Sequence, residues 1–110
     1  MEGFYVGYFT GEAGNGLAMF TLREGVIVGV DALGVRFDGT YEPDKEGYKI
    51  AVKISAPPDG VLVQGISTGT TGLKYEVETT IPGAIDSVPY LTIPTPFGPV
   101  NVKFKKLRDV

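Results

Sequence analysis

The sequence contains neither cysteine nor histidine. Because these residues supply thiolate nucleophiles, disulfides, Cys/His zinc sites and the usual general base, all of these features are excluded. No window approaches the roughly 18 consecutive apolar residues of a membrane-spanning helix. The start, MEGFYVGYF, lacks the basic region of a signal peptide. We therefore expect no catalytic residue, metal or cofactor, no membrane association, and a cytoplasmic location.

A basic excess is also missing. Ten Lys and Arg residues stand against 13 Asp and Glu residues, for a net charge of −3. Phosphate recognition needs clustered basic residues, so direct nucleic-acid binding is not expected. Four cations do gather near the C-terminus, at Lys103, Lys105, Lys106 and Arg108. Protection of an exposed sheet edge is the favoured interpretation of these four, and docking to an acidic partner is the alternative.

Glycine and proline, in contrast, are abundant and separate the apolar segments. The 110 residues include 16 glycines and eight prolines, spread along the chain. This spacing predicts many short strands joined by turns in a single domain, 1–110. Segment 81–99 holds five of the prolines and therefore fits an edge strand and loops.

Alternation of apolar and polar residues with period two dominates the second half. In YKIAVKIS (48–55), LKYEVETT (73–80) and VNVKFKKL (100–107), apolar residues recur at three or four successive alternate positions, counted from the first residue of each stretch. Such strands have one buried and one wet face, which is typical of an antiparallel sheet. Eight or nine such strands close most easily into a small barrel. The predicted fold class is therefore all-β, a small antiparallel eight-stranded (eight to nine) meander barrel.

Two short motifs resemble catalytic or binding signatures. GISTG (65–69) matches the nucleophile elbow of hydrolases with Ser67 as nucleophile, but no histidine exists to take the proton, so the match is coincidental. Asp31 follows the apolar run VIVGV, and capping of turn amides is favoured over a ligand-binding role. Met19, Phe20 and Phe104 are interpreted as core residues.

The stretch GTYEPDKEGYKI (39–50) carries three acids at the tip of a predicted hairpin. These are Glu42, Asp44 and Glu46, with Pro43 and Lys45 among them. Charged hairpin tips are usually solvated turns, whereas a cluster of acids can also dock a basic partner. The residues alone favour the solvated turn.

A pattern of glycines and aromatics runs through the first half of the chain. It comprises GFY at 3–5, the glycines of the first turn, REGVIVGVD at 23–31 and GTY at 39–41. The pattern resembles the GrlR-like family, small bacterial cytoplasmic proteins that act as negative regulators of type III secretion. These are scaffold positions, so the resemblance speaks to fold more than to function.

The resemblance implies a lipocalin-like barrel with an apolar interior, commonly a homodimer. It also implies sequestration of a transcriptional activator through an acidic surface loop, which falls here on Glu42, Asp44 and Glu46. The leading hypothesis is therefore a non-enzymatic regulatory barrel. The alternative is a carrier of a small apolar ligand, indicated by the barrel and by a row of aromatics expected to point inward (Phe4, Tyr8, Phe20, Phe37, Tyr48, Tyr75 and Phe104). An enzyme that depends on Asp31 is the third choice.

The first three predicted strands are apolar on both faces. We place Phe4, Val6 and Tyr8 inside, with Tyr5 and Phe9 outside. A contiguous apolar patch on an outer face usually marks an interface. We therefore predict a two-fold homodimer built on these strands, with interface residues Tyr5, Phe9, Phe20 and Ile27. The competing explanation is that segment 81–99 covers the same face.

Overall fold

Eight β-strands account for all the regular structure of the protein. A computed structural model describes every residue, 1–110, and contains no helix. The strands are β1 (Gly3–Gly11), β2 (Gly14–Arg23), β3 (Val26–Asp31), β4 (Arg36–Pro43), β5 (Gly47–Ala56), β6 (Leu73–Pro82), β7 (Leu91–Ile93) and β8 (Val100–Arg108). The structure therefore contains no helix that could span a lipid bilayer.

The strands form one antiparallel sheet in the order β6-β5-β4-β3-β2-β1-β8-β7. From β1 to β6 each strand pairs with its neighbour in sequence, and β8 returns to pair with β1. The short strand β7 pairs with β8 and approaches β6, so the sheet curls into a nearly closed barrel. The predicted all-β, eight-stranded meander barrel is confirmed.

The period-two pattern gave the correct orientation for β5, β6 and β8. Ile50, Val52 and Ile54 are buried in the barrel, whereas the lysines that alternate with them are exposed. On β6 and β8, Val77 and Val102 point inward in the same way. Each of these strands has one apolar and one polar face. Only one orientation of the strand buries the apolar face, so the pattern alone determines which residues point inward.

The orientation predicted for β1 is wrong for four of its five named residues. Tyr5 is only 3% exposed and belongs to the core, and Phe9 packs against that core, whereas Phe4 and Tyr8 lie on the outer surface; only Val6, predicted inside, is buried as expected. Both faces of this strand are apolar, so hydrophobicity could not choose between them. The position between the two inward aromatics is Gly7, where an added Cβ would lie 3.0 Å from the ring of Phe20. A glycine inside the barrel therefore leaves the space that Phe20 fills.

The interface residues predicted for the homodimer also lie inside the barrel. Phe20 and Ile27 are buried together with Tyr5, and Phe9, on the same strand as Tyr5, packs against this core. Side chains that fill the core of one chain cannot form its outer contact surface. Met19, interpreted as core, is instead 54% exposed on the outer face of β2.

A contiguous apolar patch nevertheless covers the outside of the first three strands. Its members are neighbours across the strand pairings: Tyr8 faces Leu17, and Met19 faces Val30. Segment 81–99 does not cover it, because the patch residues remain about half exposed. We call this surface the outer apolar face; its exposed residues are Phe4, Tyr8, Leu17, Met19, Val26, Val28 and Val30.

The C-terminal strand has one partly free edge. Residues 100–102 of β8 pair with β7, but from Lys103 onward β8 pairs only with β1. The lysines of this segment thus line an unpaired sheet edge, as the edge-protection interpretation requires. Lys106 forms an ion pair with Asp109 at 2.6 Å, and its ammonium group lies 5.9 Å from the ring centre of Tyr5.

Candidate functional site: an apolar cavity in the barrel

The interior of the barrel is not filled by side chains. A cavity of about 810 Å³ occupies it, lined by 30 residues of which 24 are hydrophobic. Pockets for small molecules typically measure about 300–1,000 Å³. Most protein interiors have few voids larger than a water molecule. An interior of this size is therefore a candidate binding site.

Four phenylalanines form a cluster on the wall of the cavity. Phe20 lies at the centre, with ring centroids 5.0 Å from Phe37, 5.7 Å from Phe104 and 6.1 Å from Phe9. The rings of Phe9 and Phe37 stack at 5.9 Å. Each such pair contributes about 0.5–1.5 kcal/mol beyond its burial. The cluster therefore gives the cavity a rigid aromatic wall.

The cavity is closed at one end and reaches the surface at the other. In a meander, successive turns alternate between the two ends of the barrel, so the β1–β2, β3–β4 and β5–β6 connections share one end. Residues from all three, including Ala13, Leu33 and Val63, line the cavity there, at what we call the mouth. At the opposite end, Ile85 from the β6–β7 connection is 2% exposed and closes the floor.

The few polar groups of the cavity meet at the mouth. The side-chain nitrogen Nε2 of Gln64 donates to the Tyr75 hydroxyl at 3.5 Å and to Thr95 Oγ1 at 3.3 Å. Burial raises the pKa of Tyr75 above its usual value; the hydrogen bond with Gln64 lowers it, and the nearby charge of Asp31 raises it. The mouth is thus a small polar cluster above an apolar chamber.

Asp31 caps the turn between β3 and β4. Its Oδ1 accepts hydrogen bonds from the backbone N–H groups of Leu33, at 2.9 Å, and Val35, at 2.8 Å. The predicted capping role is confirmed. The same side chain also lines the cavity, so capping and contact with a ligand are compatible at this position.

The β5–β6 connection, 57–72, folds over the mouth as an ordered loop. It is organised by Thr68, which is 4% exposed; its Oγ1 donates to the carbonyl of Pro57 at 2.7 Å and accepts from the N–H of Gly60 at 2.8 Å. The carbonyl of Val63 accepts a hydrogen bond from the N–H of Ala13 at 2.9 Å. This contact fastens the loop to the β1–β2 hairpin. Ser67 of the GISTG motif is exposed and bonds only to the N–H of Gly69.

The three acids Glu42, Asp44 and Glu46 lie at the closed end, away from the mouth. All three are exposed on the β4–β5 hairpin. The carboxylate of Asp44 accepts the N–H of Lys45 at 2.8 Å, and Glu42 faces Lys49 across the strand pair. An opposite charge directly across a strand pair reduces the negative field of the tip.

Comparisons with known proteins leave the geometry as the basis for a functional assignment. A scan against protein-family models and searches of curated proteins and of solved structures found no match. The fold and the site define the chain as a small antiparallel β-barrel with an apolar internal cavity. Function must be argued from that site, because one fold hosts many functions.

Sequence reasoning missed most of the polar residues at the mouth. Tyr75 was recognised as inward-facing, but Gln64, Thr68 and Thr95 lie in glycine- and proline-rich connections that carry no periodic signal. These residues come together only when the loop of 57–72 and the β7–β8 connection reach the same end of the barrel. The single glutamine of the chain, Gln64, which directly follows the apolar run VLV at 61–63, is the only local signal that could have drawn attention to this cluster.

Proposed function

We propose that this protein binds a small apolar molecule inside its barrel. The observation that carries the proposal is the cavity of about 810 Å³ with its hydrophobic lining. Water in such a chamber finds few hydrogen-bonding partners, because the polar groups are confined to the mouth. An apolar ligand would displace that water and gain contact with the aromatic wall.

The size of the cavity sets the expected affinity. A ligand of about 25 non-hydrogen atoms at ~0.3 kcal/mol per atom gains about 7.5 kcal/mol, which corresponds to a Kd of a few micromolar. Binding in this range suits a carrier or a sensor that releases its ligand. The proposed role is thus binding, not catalysis.

Titration with N-phenyl-1-naphthylamine, an uncharged fluorescent probe, tests the proposal. Val52 lines the cavity, so Val52→Phe should fill part of it and weaken probe binding about 10-fold or more, since the probe competes with the new ring for space. Val28→Phe makes the same change on the outer apolar face and should leave binding unchanged. Thermal unfolding checks that both variants fold. Absence of saturable binding to the wild type, or equal binding by both variants, would refute the proposal.

A second candidate function is regulation of a transcriptional activator through the acidic hairpin tip. The exposure of Glu42, Asp44 and Glu46 at the end of the barrel opposite the mouth supports this proposal, because a partner docked there would leave the cavity accessible. The resemblance to negative regulators of type III secretion supports it independently. The broken acidic run and the neighbouring Lys49 reduce the expected attraction to a basic partner surface.

Affinity capture from the native host, with the triple variant Glu42→Ala, Asp44→Ala and Glu46→Ala as comparison, tests this second candidate. We expect the wild type to retain a transcriptional regulator and the triple variant to lose it. Glu76→Ala and Glu78→Ala, which remove exposed acids from β6, provide the matched control. Retention that survives the triple change would refute docking through the tip.

We also propose that the chain forms a homodimer through the outer apolar face. Contiguous exposed apolar residues on three neighbouring strands support this proposal, since such patches usually mark interfaces. At ~25 cal/mol per Å², covering a few hundred Å² of apolar surface gains several kcal/mol before the cost of association. The cavity mouth and the acidic tip lie at the barrel ends and stay free in such a dimer.

A further inference from the structure

The polar groups at the mouth have unused hydrogen-bonding capacity, and most of it accepts hydrogen bonds. Both protein hydrogen bonds of the Asp31 carboxylate end on Oδ1, from Leu33 and Val35, which leaves Oδ2 free. Gln64 uses its nitrogen toward Tyr75 and Thr95, which leaves its carbonyl oxygen free. A ligand group at the mouth therefore meets two free acceptors and one free donor, the hydroxyl of Tyr75, which accepts from Gln64 but donates to no protein group.

The charge at the mouth also disfavours a ligand with a negatively charged head group. Asp31 is the only ionisable carboxylate among the residues lining the cavity, and no lysine or arginine lines it. A carboxylate or sulfonate head group placed there would face a like charge with no cation to pair it. Moving an unpaired anion out of water is strongly unfavourable. Fatty acids and similar anions are therefore poor matches for this cavity.

The capping role of Asp31 fixes the position of the free oxygen. Two short hydrogen bonds from the β3–β4 turn hold the carboxylate at the rim, so Oδ2 is placed without further ordering. Preorganised groups lose less entropy when they bind a ligand. The turn therefore presents a fixed acceptor to a ligand whose body lies in the chamber.

We propose that the cavity selects apolar molecules with a hydrogen-bond-donating head group, an alcohol or an amine, held at the mouth by Asp31 and Gln64. The apolar body packs against the phenylalanine cluster. This inference rests on the proposed function, since it specifies the ligand of the same cavity. An ammonium head pairs its own charge with Asp31, whereas a hydroxyl head donates a hydrogen bond to the same carboxylate without a charge of its own.

Displacement of N-phenyl-1-naphthylamine by three molecules with the same ten-carbon chain tests the inference. Decylamine and decan-1-ol should displace the probe at concentrations about 10-fold or more below that of decanoate, because only decanoate places an unpaired charge beside Asp31. Equal displacement by all three, or strongest displacement by decanoate, would overturn the inference. The probe's own saturable binding is the separate test of the proposed function.

The variant Asp31→Asn isolates the charge. It keeps an oxygen for the turn amides, so the fold is retained. The change should weaken decylamine binding about 10-fold, weaken decan-1-ol binding less, because that hydroxyl carries no charge, and strengthen decanoate binding. Asp38→Asn makes the same change on the outer face of β4 and should alter none of the three. Unchanged decylamine binding by Asp31→Asn would overturn the role of Asp31. The wild-type comparison of head groups stands without any variant.

Discussion

Phe20 and Gly29 face each other across the β2–β3 pairing, and the ring of Phe20 lies over the glycine where a Cβ would be. The backbone carbonyl of Met19 would also lie 2.8 Å from such a Cβ. The glycine therefore provides the space in which Phe20 reaches the centre of the phenylalanine cluster. An inward glycine opposite an aromatic is what shapes this wall of the cavity.

Gly29→Ala should destabilise the protein by about 1–3 kcal/mol, because the added methyl group overlaps the ring and a backbone carbonyl. Urea unfolding measures the free-energy change. Gly14→Ala provides the control, since no atom lies within 4 Å of its Cβ position, and it should stay within about 0.5 kcal/mol of the wild type. Equal stability of the two variants would show that Phe20 does not depend on Gly29.

Thr68→Val should destabilise the protein by about 1–3 kcal/mol through the loop at the mouth. The change keeps the side-chain shape but removes the hydroxyl that bonds Pro57 and Gly60, leaving their backbone groups without those partners. Thr70→Val, at an exposed position of the same loop, should have little effect. Amide hydrogen exchange in 57–72 should rise only in the Thr68 variant. A stable, protected loop in that variant would contradict the role given to Thr68.

Stability should fall at alkaline pH through Tyr75. Burial raises the folded-state pKa of Tyr75 above its usual value of 10.0, so the neutral hydroxyl is favoured in the folded protein. The contribution of Tyr75 to the free energy of unfolding is complete below its unfolded-state pKa of about 10. It is lost as the pH rises through its folded-state pKa. Unfolding midpoints measured upward from about pH 9 should show this decline.

Tyr75→Phe should flatten that alkaline decline, because it removes the ionisable hydroxyl. Part of the slope should remain, since burial also raises the pKa of Tyr5. Tyr90→Phe changes an exposed tyrosine and should leave the slope unchanged. An alkaline slope identical in the wild type and in Tyr75→Phe would disprove the assignment.

Met19→Lys combined with Val28→Lys should convert the proposed homodimer into a monomer. Their side chains are 54% and 53% exposed on the outer apolar face, so the lysines are tolerated in the monomer but place unpaired charges in the interface. Light scattering at tens of micromolar measures the mass. Tyr90→Lys, at an exposed position in the β6–β7 connection, should leave the dimer intact. A wild-type monomer, or a dimer unaffected by the double change, would refute this interface.

Tyr5→Lys or Phe9→Lys, at two of the residues first predicted to form the homodimer interface, should instead unfold the protein. Tyr5 is buried in the core and Phe9 packs against it, so a lysine at either position would bury a charge and unfold the protein. Neither change can report on association. A folded, monomeric Tyr5→Lys variant would contradict the orientation of β1.

Much of the architecture could be predicted from the sequence because local chemistry determined it. Alternation in β5, β6 and β8 set which face is buried, and glycine-rich turns between short strands indicated an antiparallel meander. Asp31 directly after an apolar strand predicted a capped turn, and the structure places its carboxylate on two turn amides. These features depend on residues close in sequence, so period and turn chemistry were enough.

The orientation of β1, the size of the cavity and the polar cluster at its mouth were decided only by the tertiary structure. Strand β1 is apolar on both faces, so hydrophobicity does not decide which face is buried. The decision depends on the space that Gly7 and Gly29 leave for the ring of Phe20 on β2. The cavity depends on the curvature of eight strands, which no single segment encodes. Gln64 and Thr95 are 31 residues apart and meet because barrel closure brings their loops to one end. Such contacts depend on the relative positions of distant strands, whereas sequence patterns report only on neighbours along the chain.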